Sequence, residues 1–232
     1  MKPKKIKKTL SSEDEEFSIY FTASSDWMTQ RTIVRRQIHE PEVTEYLLQN
    51  LKPGMTFLDV GAGIGWFTLI GAHKVKSEGQ VLAYEPMPSR FEVLRENIKL
   101  NGFKNVQCFS LALSDREGRL YMGGRWHMRL ISRKTDIPTK TISLDSHFKT
   151  LDLENVDVVK IDVEGGELAV LYGMEQTIKN NLDIRIVCEV HKPMMLGSGN
   201  KKRLFSFMSK LGLETREIRT GTNPHWVFYR EE

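Results

Sequence analysis

The stretch Phe57-Leu58-Asp59-Val60-Gly61-Ala62-Gly63-Ile64-Gly65-Trp66 decides the fold. A short apolar run enters three glycines at alternate positions, and a helix-forming segment follows from about Trp66 to Lys76. Glycine lets the backbone turn sharply and approach a ligand closely, because no Cβ intervenes. A strand, a glycine turn and a helix in that order form the ligand crevice of an open α/β sheet.

Reading outward, strands and helices alternate. A helix is predicted over Pro41–Leu51, with Pro in its first turn, and Pro53-Gly54 then breaks the chain. Strands are predicted at Thr56–Val60, Gln80–Glu85, Val106–Leu111, Val156–Val163 and Ile184–Val190. A helix capped by Ser89 ends at Asn101-Gly102, and others are predicted over Glu167–Lys179 and Lys201–Leu211. Leu213–Ile218 and Trp226–Tyr229 are too close for a helical crossover, so they are expected to pair antiparallel. The pattern predicts an α/β fold: a mainly parallel, seven-stranded, doubly wound sheet whose last strand is antiparallel.

Two cofactor classes compete for the turn. Dinucleotide binders favour G-x-G-x-x-G; here the third glycine comes one residue early and Trp66 stands where a dinucleotide glycine would. Asp59 suits a cation better than a pyrophosphate. The methionyl end of S-adenosylmethionine carries an ammonium and a sulfonium. Glu85 ends the second strand, where an acid accepts both ribose hydroxyls.

The strand exit Val159-Lys160-Ile161-Asp162-Val163-Glu164-Gly165-Gly166-Glu167 resembles the FkbM family of S-adenosylmethionine-dependent methyltransferases. Ser143-Leu144-Asp145, Ala112-Leu113-Ser114-Asp115 and Glu189-Val190-His191 add to the resemblance, which covers about residues 40 to 190 in the right order. It implies a Rossmann-like class I methyltransferase fold, S-adenosylmethionine as cofactor, and O-methylation of a hydroxyl on a sugar, glycan, polyketide or other metabolite. It implies further that Asp59, Gly61 and Gly63, with Gly65 in the same turn, line the methionyl end. Glu85 then holds the ribose and Ala112 and Leu113 the adenine. Asp162 and Glu164 face the transfer centre, with Asp162 also touching the cofactor.

Methylating an alcohol requires its proton to be removed, by a general base or by a metal that lowers the hydroxyl pKa. Asp162 and Glu164 alternate on one strand, as Glu189 and His191 do on the next, so each pair shares a face. His191 is the base expected from intrinsic pKa. Asp162, Glu164 and Glu189 are of the type that holds a hard divalent cation, but no dense carboxylate spacing demands one and no metal is assigned. Glu167 reads as a helix-opening acid.

Composition bounds the rest. The chain has 232 residues, 40% hydrophobic and 28% charged, as a globular protein should. No apolar run approaches the ~20 residues of a membrane-spanning helix, and no secretory signal is read at the N-terminus. Cys108 and Cys188 sit in apolar runs and read as buried thiols, which favours a reducing, cytoplasmic compartment. Five lysines lie in the first twelve residues; removing them from the 34 basic residues leaves 29, against 30 acidic ones. Residues 1–16 are therefore expected to be a disordered basic tail, and 17–232 a single domain. Residues 116–145 form an Arg-rich insertion with Trp126 and His127, expected to add strands at Arg119–Met122 and Thr139–Leu144 and to bear on substrate choice. Tail and insertion together leave open an RNA-modifying methyltransferase. A non-catalytic S-adenosylmethionine-binding domain is the other alternative.

Overall fold

The computed structural model describes residues 5–12, 15–22, 38–123, 129–130, 137–191, 200–219 and 224–231. Trp126, His127, Arg125, Arg133 and Lys134 of the insertion, and Lys2 and Lys4 of the expected tail, lie outside the described residues. The chain forms two compact units, Met1–Phe109 and Ser110–Glu232.

The first unit opens on a hairpin. Strand β1 (Lys5–Ser11) pairs antiparallel with β2 (Glu16–Thr22), from Lys5 opposite Thr22 to Ser11 opposite Glu16. The expectation of an unstructured segment is corrected here. Alternation sends Lys5 and Lys7 outward while Leu10, Phe17, Ile19 and Phe21 are buried. The Asn101 side chain donates to the Tyr20 carbonyl at 2.7 Å and accepts its N–H at 2.9 Å, and Asn97 accepts the Thr22 N–H at 2.8 Å. Glu15, at the hairpin turn, pairs with Lys76 and His73, each at 3.1 Å.

Helix α1 (Pro41–Asn50) follows, then β3 (Thr56–Val60), α2 (Trp66–Val75), β4 (Gln80–Tyr84), α3 (Pro88–Asn101) and β5 (Val106–Phe109). β4 pairs parallel with both β3 and β5. All five residues of β3 are buried, the pattern of a parallel strand covered on both faces. Ser89 does not cap α3. Met87 takes the cap position, without a side-chain bond, and Pro88 begins the helix. Gly102, at φ +73°, ends it as expected.

The second unit holds a small sheet ordered β6-β9-β7-β8, from β6 (Ala112–Leu113), β7 (Gly118–Gly123), β8 (Arg129–Leu130) and β9 (Ile137–Ile142). The strand expected over Arg119–Met122 lies within β7, and the one expected over Thr139–Leu144 is β9, which ends earlier, at Ile142. A helix not foreseen there, α4 (Leu144–Leu151), starts at the Ser143 cap and buries Leu144, His147 and Phe148 at helical spacing.

Then come β10 (Val158–Ile161), α5 (Glu167–Tyr172), α6 (Glu175–Asn180), β11 (Arg185–Glu189), α7 (Asn200–Lys210), β12 (Glu214–Arg219) and β13 (His225–Tyr229). β10 and β11 pair parallel, and β13 runs antiparallel to β11 and to β12. The single helix expected over Glu167–Lys179 is two. A Cβ on Gly173 would lie 1.9 Å from the Ser114 carbonyl oxygen, so the chain passes there only as glycine. The Asp145 carboxylate then accepts the N–H groups of Gln176 and Thr177, each at 2.9 Å, and restarts the helix. Strands β3–β5 of the first unit and β10–β13 of the second are the seven strands of a mainly parallel α/β fold with the last strand antiparallel. Among the described residues no helix is long and apolar enough to cross a membrane.

Candidate functional site

Two groups of predicted residues assemble, one in each unit. In the first, Gly61, Gly63 and Gly65 take φ of +85°, +58° and +96°, the left-handed region closed to most side chains. The N–H groups of Gly61 and Ala62 both donate to the Tyr84 carbonyl at 2.9 Å, which ties the loop to the end of β4. A Cβ on Gly63 would meet no atom within 4 Å, so the loop is open at that point; one on Gly65 would sit 2.7 Å from Leu94 Cδ1.

Glu85 is 2% exposed. Its Oε2 accepts the Gly63 N–H and its Oε1 the Met87 N–H, both at 2.8 Å. Burial pushes its carboxyl up to about 7, the two N–H donors and Arg90 pull against that, and Asp59 adds to it. Glu85, expected at a strand end to meet a ribose, is found clamping the glycine loop. Asp59 is 0% exposed and accepts a hydrogen bond from Thr68 Oγ1 at 2.6 Å. It braces the first turn of α2 from beneath the loop, a supporting place that its sequence position did not reveal. Trp66 is core, its Nε1 donating to Thr44 Oγ1 at 3.0 Å.

In the second unit, the exits of β10 and β11 converge. His191 Nδ1 lies 2.8 Å from Glu167 Oε1, an oxygen that also accepts the Gly165 N–H at 2.8 Å. His191 Nε2 lies 3.4 Å from Glu164 Oε2, 3.4 Å from Glu189 Oε1 and 3.8 Å from Asp162 Oδ1. Glu164 has φ +55° and is followed by Gly165 at +112°, so the strand exit bends sharply where it presents the carboxylate. Burial lowers the His191 pKa. The hydrogen bond to Glu167 and the charges of Asp162, Glu167 and Glu189 outweigh it and raise the imidazole to about 9. The imidazole chosen as base on its intrinsic pKa is thus favoured in its charged form by these neighbours. Ligand atoms of Asp162, Glu164 and His191 all lie within 4.8 Å of one another, close enough to share a cation.

Three contributors escaped the sequence reading. Glu167 reads as a helix-opening acid and in fact orients His191. Lys160, 2% exposed, reaches Asp162 Oδ2 at 3.1 Å; a lysine inside the apolar run Val158-Val159-Lys160-Ile161 was the available signal. His225 Nε2 lies 3.4 Å from Glu189 Oε2 because β13 registers His225 opposite Glu189, a pairing with no local signature. Ala112 and Leu113 are buried in β6, paired with Thr141 and Ile142 of β9.

The family model for the methyltransferase FkbM domain matches residues 59–214. The chain is 28% identical over 173 residues to methyltransferase sdnD of Sordaria araneosa, covering 56% of this chain and 64% of that protein. It is 26% identical over 200 residues to the hexuronic acid methyltransferase AglP of Haloferax volcanii, covering 83% of this chain and 77% of that one. The crystal structure of methyltransferase FkbM from Methylobacillus flagellatus superposes with a TM-score of 0.56 at 15% identity, over 80% of this chain and 50% of that chain. The chain thus spans under two thirds of the Sordaria protein and half of the Methylobacillus chain.

Proposed function

The chain belongs to the methyltransferase FkbM domain family, and we propose that it methylates a hydroxyl of a sugar, with S-adenosylmethionine as donor. The observation that carries this reading is the imidazole of His191, anchored through Nδ1 on Glu167 while Nε2 faces the carboxylates of Glu164, Glu189 and Asp162. The likeness to a hexuronic acid methyltransferase supports an acidic sugar as acceptor.

The donor fits the glycine loop, which is open at Gly63 and has a buried carboxylate beside it. Gly61, Gly63, Gly65 and Glu85 would hold it, with Asp59 in support. S-adenosylmethionine supplies, when bound, a methyl group on a sulfonium leaving group. The residues of the chain handle the proton: it leaves the acceptor oxygen for Nε2 of neutral His191, Glu167 keeps Nδ1–H in place, and the surrounding carboxylates stabilise the resulting imidazolium. A base held up to about 9 is strong but seldom neutral at pH 7, so the rate should climb with pH to about 9 and then level.

Lys5, Lys7 and Lys8 belong to the paired strand β1 rather than to the free basic tail that, with the Arg-rich insertion, underlay the nucleic-acid alternative. The test is incubation with methyl-labelled S-adenosylmethionine and a panel of uronic acids, neutral sugars and RNA, with and without chelator. Label in a sugar methyl ether supports the reading. Label in RNA, or none in any sugar, overturns it. Loss of activity with chelator would assign deprotonation to a cation at Asp162, Glu164 and His191.

A further inference from the structure

Outside the His191 cluster, α7 carries four cations, Lys201, Lys202, Arg203 and Lys210, and no acid. Lys202, Ser206 and Lys210 recur every four residues, and Arg203 and Phe207 flank them, so all five share one stripe of the helix. With Tyr172, the last residue of α5, they line a groove of about 520 Å³. Lys201 is not part of it: its ammonium lies 5.0 Å from the ring centre of Trp226 and 5.5 Å from that of Phe205. Among the described residues, Lys202, Arg203 and Lys210 make no ion pair, and all three are exposed. Two of them stand in the first turn of α7, where the helix dipole disfavours positive charge. Like charges gathered on one groove wall without counter-charges repel one another, and a bound anion relieves that repulsion.

The layout narrows the anion. Lys202 and Arg203 stand at one end of the stripe and Lys210 two turns on, a separation of roughly 10–12 Å at 1.5 Å per residue. Between them are the Ser206 hydroxyl and the aromatic pair Tyr172–Phe207, in edge contact with centroids 4.7 Å apart. Separated cations suit anionic groups spaced along a chain rather than one compact anion. Aromatic surface suits the apolar C–H face of a sugar ring, and a hydroxyl suits its polar rim.

We propose that this groove is an anchoring subsite for an acidic sugar chain, Lys202 and Arg203 holding one carboxylate, Lys210 another, and a ring resting on Tyr172 and Phe207. The proposal rests on the reading that the acceptor is a sugar, and extends it from a single residue to a chain. Tyr172 lies five residues along α5 from Glu167, about 7.5 Å of rise and roughly 140° of turn, so a ligand that touches both the groove and His191 must be longer than one sugar.

Calorimetry on the full chain, with a tetrameric polyuronate, a neutral tetrasaccharide and inorganic pyrophosphate as probes, tests it. The polyuronate should bind and the neutral chain should not. The exposed double variant Arg203→Glu/Lys210→Glu should weaken polyuronate binding roughly tenfold or more, and Tyr172→Ala should weaken it several-fold. Methylation of a monosaccharide should be unchanged in both. If charge reversal lowers the melting temperature, Arg203→Gln/Lys210→Gln replaces it. Equal binding by wild type and charge variant overturns the proposal. So does pyrophosphate binding as tightly as the polyuronate and indifferent to Tyr172→Ala. If no sugar is methylated at all, the sugar-methylation reading fails, while polyuronate binding and its loss in the variants still decide the groove.

Discussion

Around the glycine loop the backbone sets the geometry: three residues in the left-handed region, two N–H groups on the Tyr84 carbonyl, a third on Glu85. Around His191 charge sets it: four carboxylates gather about one imidazole, whose own hydrogen bond goes to Glu167, and one of them, Asp162, also pairs with the Lys160 ammonium. Steric order of the first kind is indifferent to pH and salt. Order of the second kind changes with every proton. Glu85 is where the contrast blurs, because the loop is clamped by a carboxyl that burial has moved to about 7.

The largest effect should come from the charged region. His191→Ala is expected to lower turnover by ~10²–10⁴-fold with donor affinity nearly unchanged, as read by steady-state kinetics beside calorimetry. A loss below tenfold would move the chemistry away from this cluster.

Next is the pH dependence of stability, where both regions act. A group whose folded pKa is raised stabilises the fold while protonated and loses that contribution as pH rises. Glu85 contributes fully below 4.5 and no longer above about 7; His191 contributes fully below 6.5 and no longer above about 9. Denaturant titrations should therefore show stability falling in two successive windows, each by about 3 kcal/mol. Glu85→Gln should erase the lower step and His191→Asn the upper. A single step surviving both variants would break the comparison.

Smaller effects belong to the backbone. Gly65→Ala combines a left-handed φ with a contact against Leu94 and should cost roughly 2–3 kcal/mol of stability at any pH. Gly63→Ala, at a left-handed φ but facing open space, should cost only about 1–2 kcal/mol. Its larger consequence should be weaker S-adenosylmethionine binding. If Gly63→Ala binds the donor normally, the open side of the loop is not where the cofactor approaches.

How much of this was legible follows from the same contrast. Glycine spacing, strand runs and the acid ending β4 are local signals, and they placed the loop, Glu85 and the order of strands and helices. The His191 cluster was half legible. Asp162, Glu164, Glu189 and His191 sit at strand exits, but the imidazole's protonation depends on Glu167 and on burial, which no spacing encodes. That position 173 admits only glycine depends on a carbonyl 59 residues away, at Ser114. The β1–β2 hairpin was missed because lysine count outweighed alternation: Leu10 and Phe17 face the interior while Lys5 and Lys7 keep the other face wet.

That hairpin has a consequence for biosynthesis. Tyr20 waits for Asn101, 81 residues later, before its backbone is satisfied. At ribosomal rates of ~5–20 residues per second the delay is roughly 4–16 s. Throughout it, Phe17, Ile19 and Phe21 present an apolar ribbon to water or to any chaperone present. The lysines of β1 then act as gatekeepers, discouraging nascent chains from pairing edge to edge until α3 arrives.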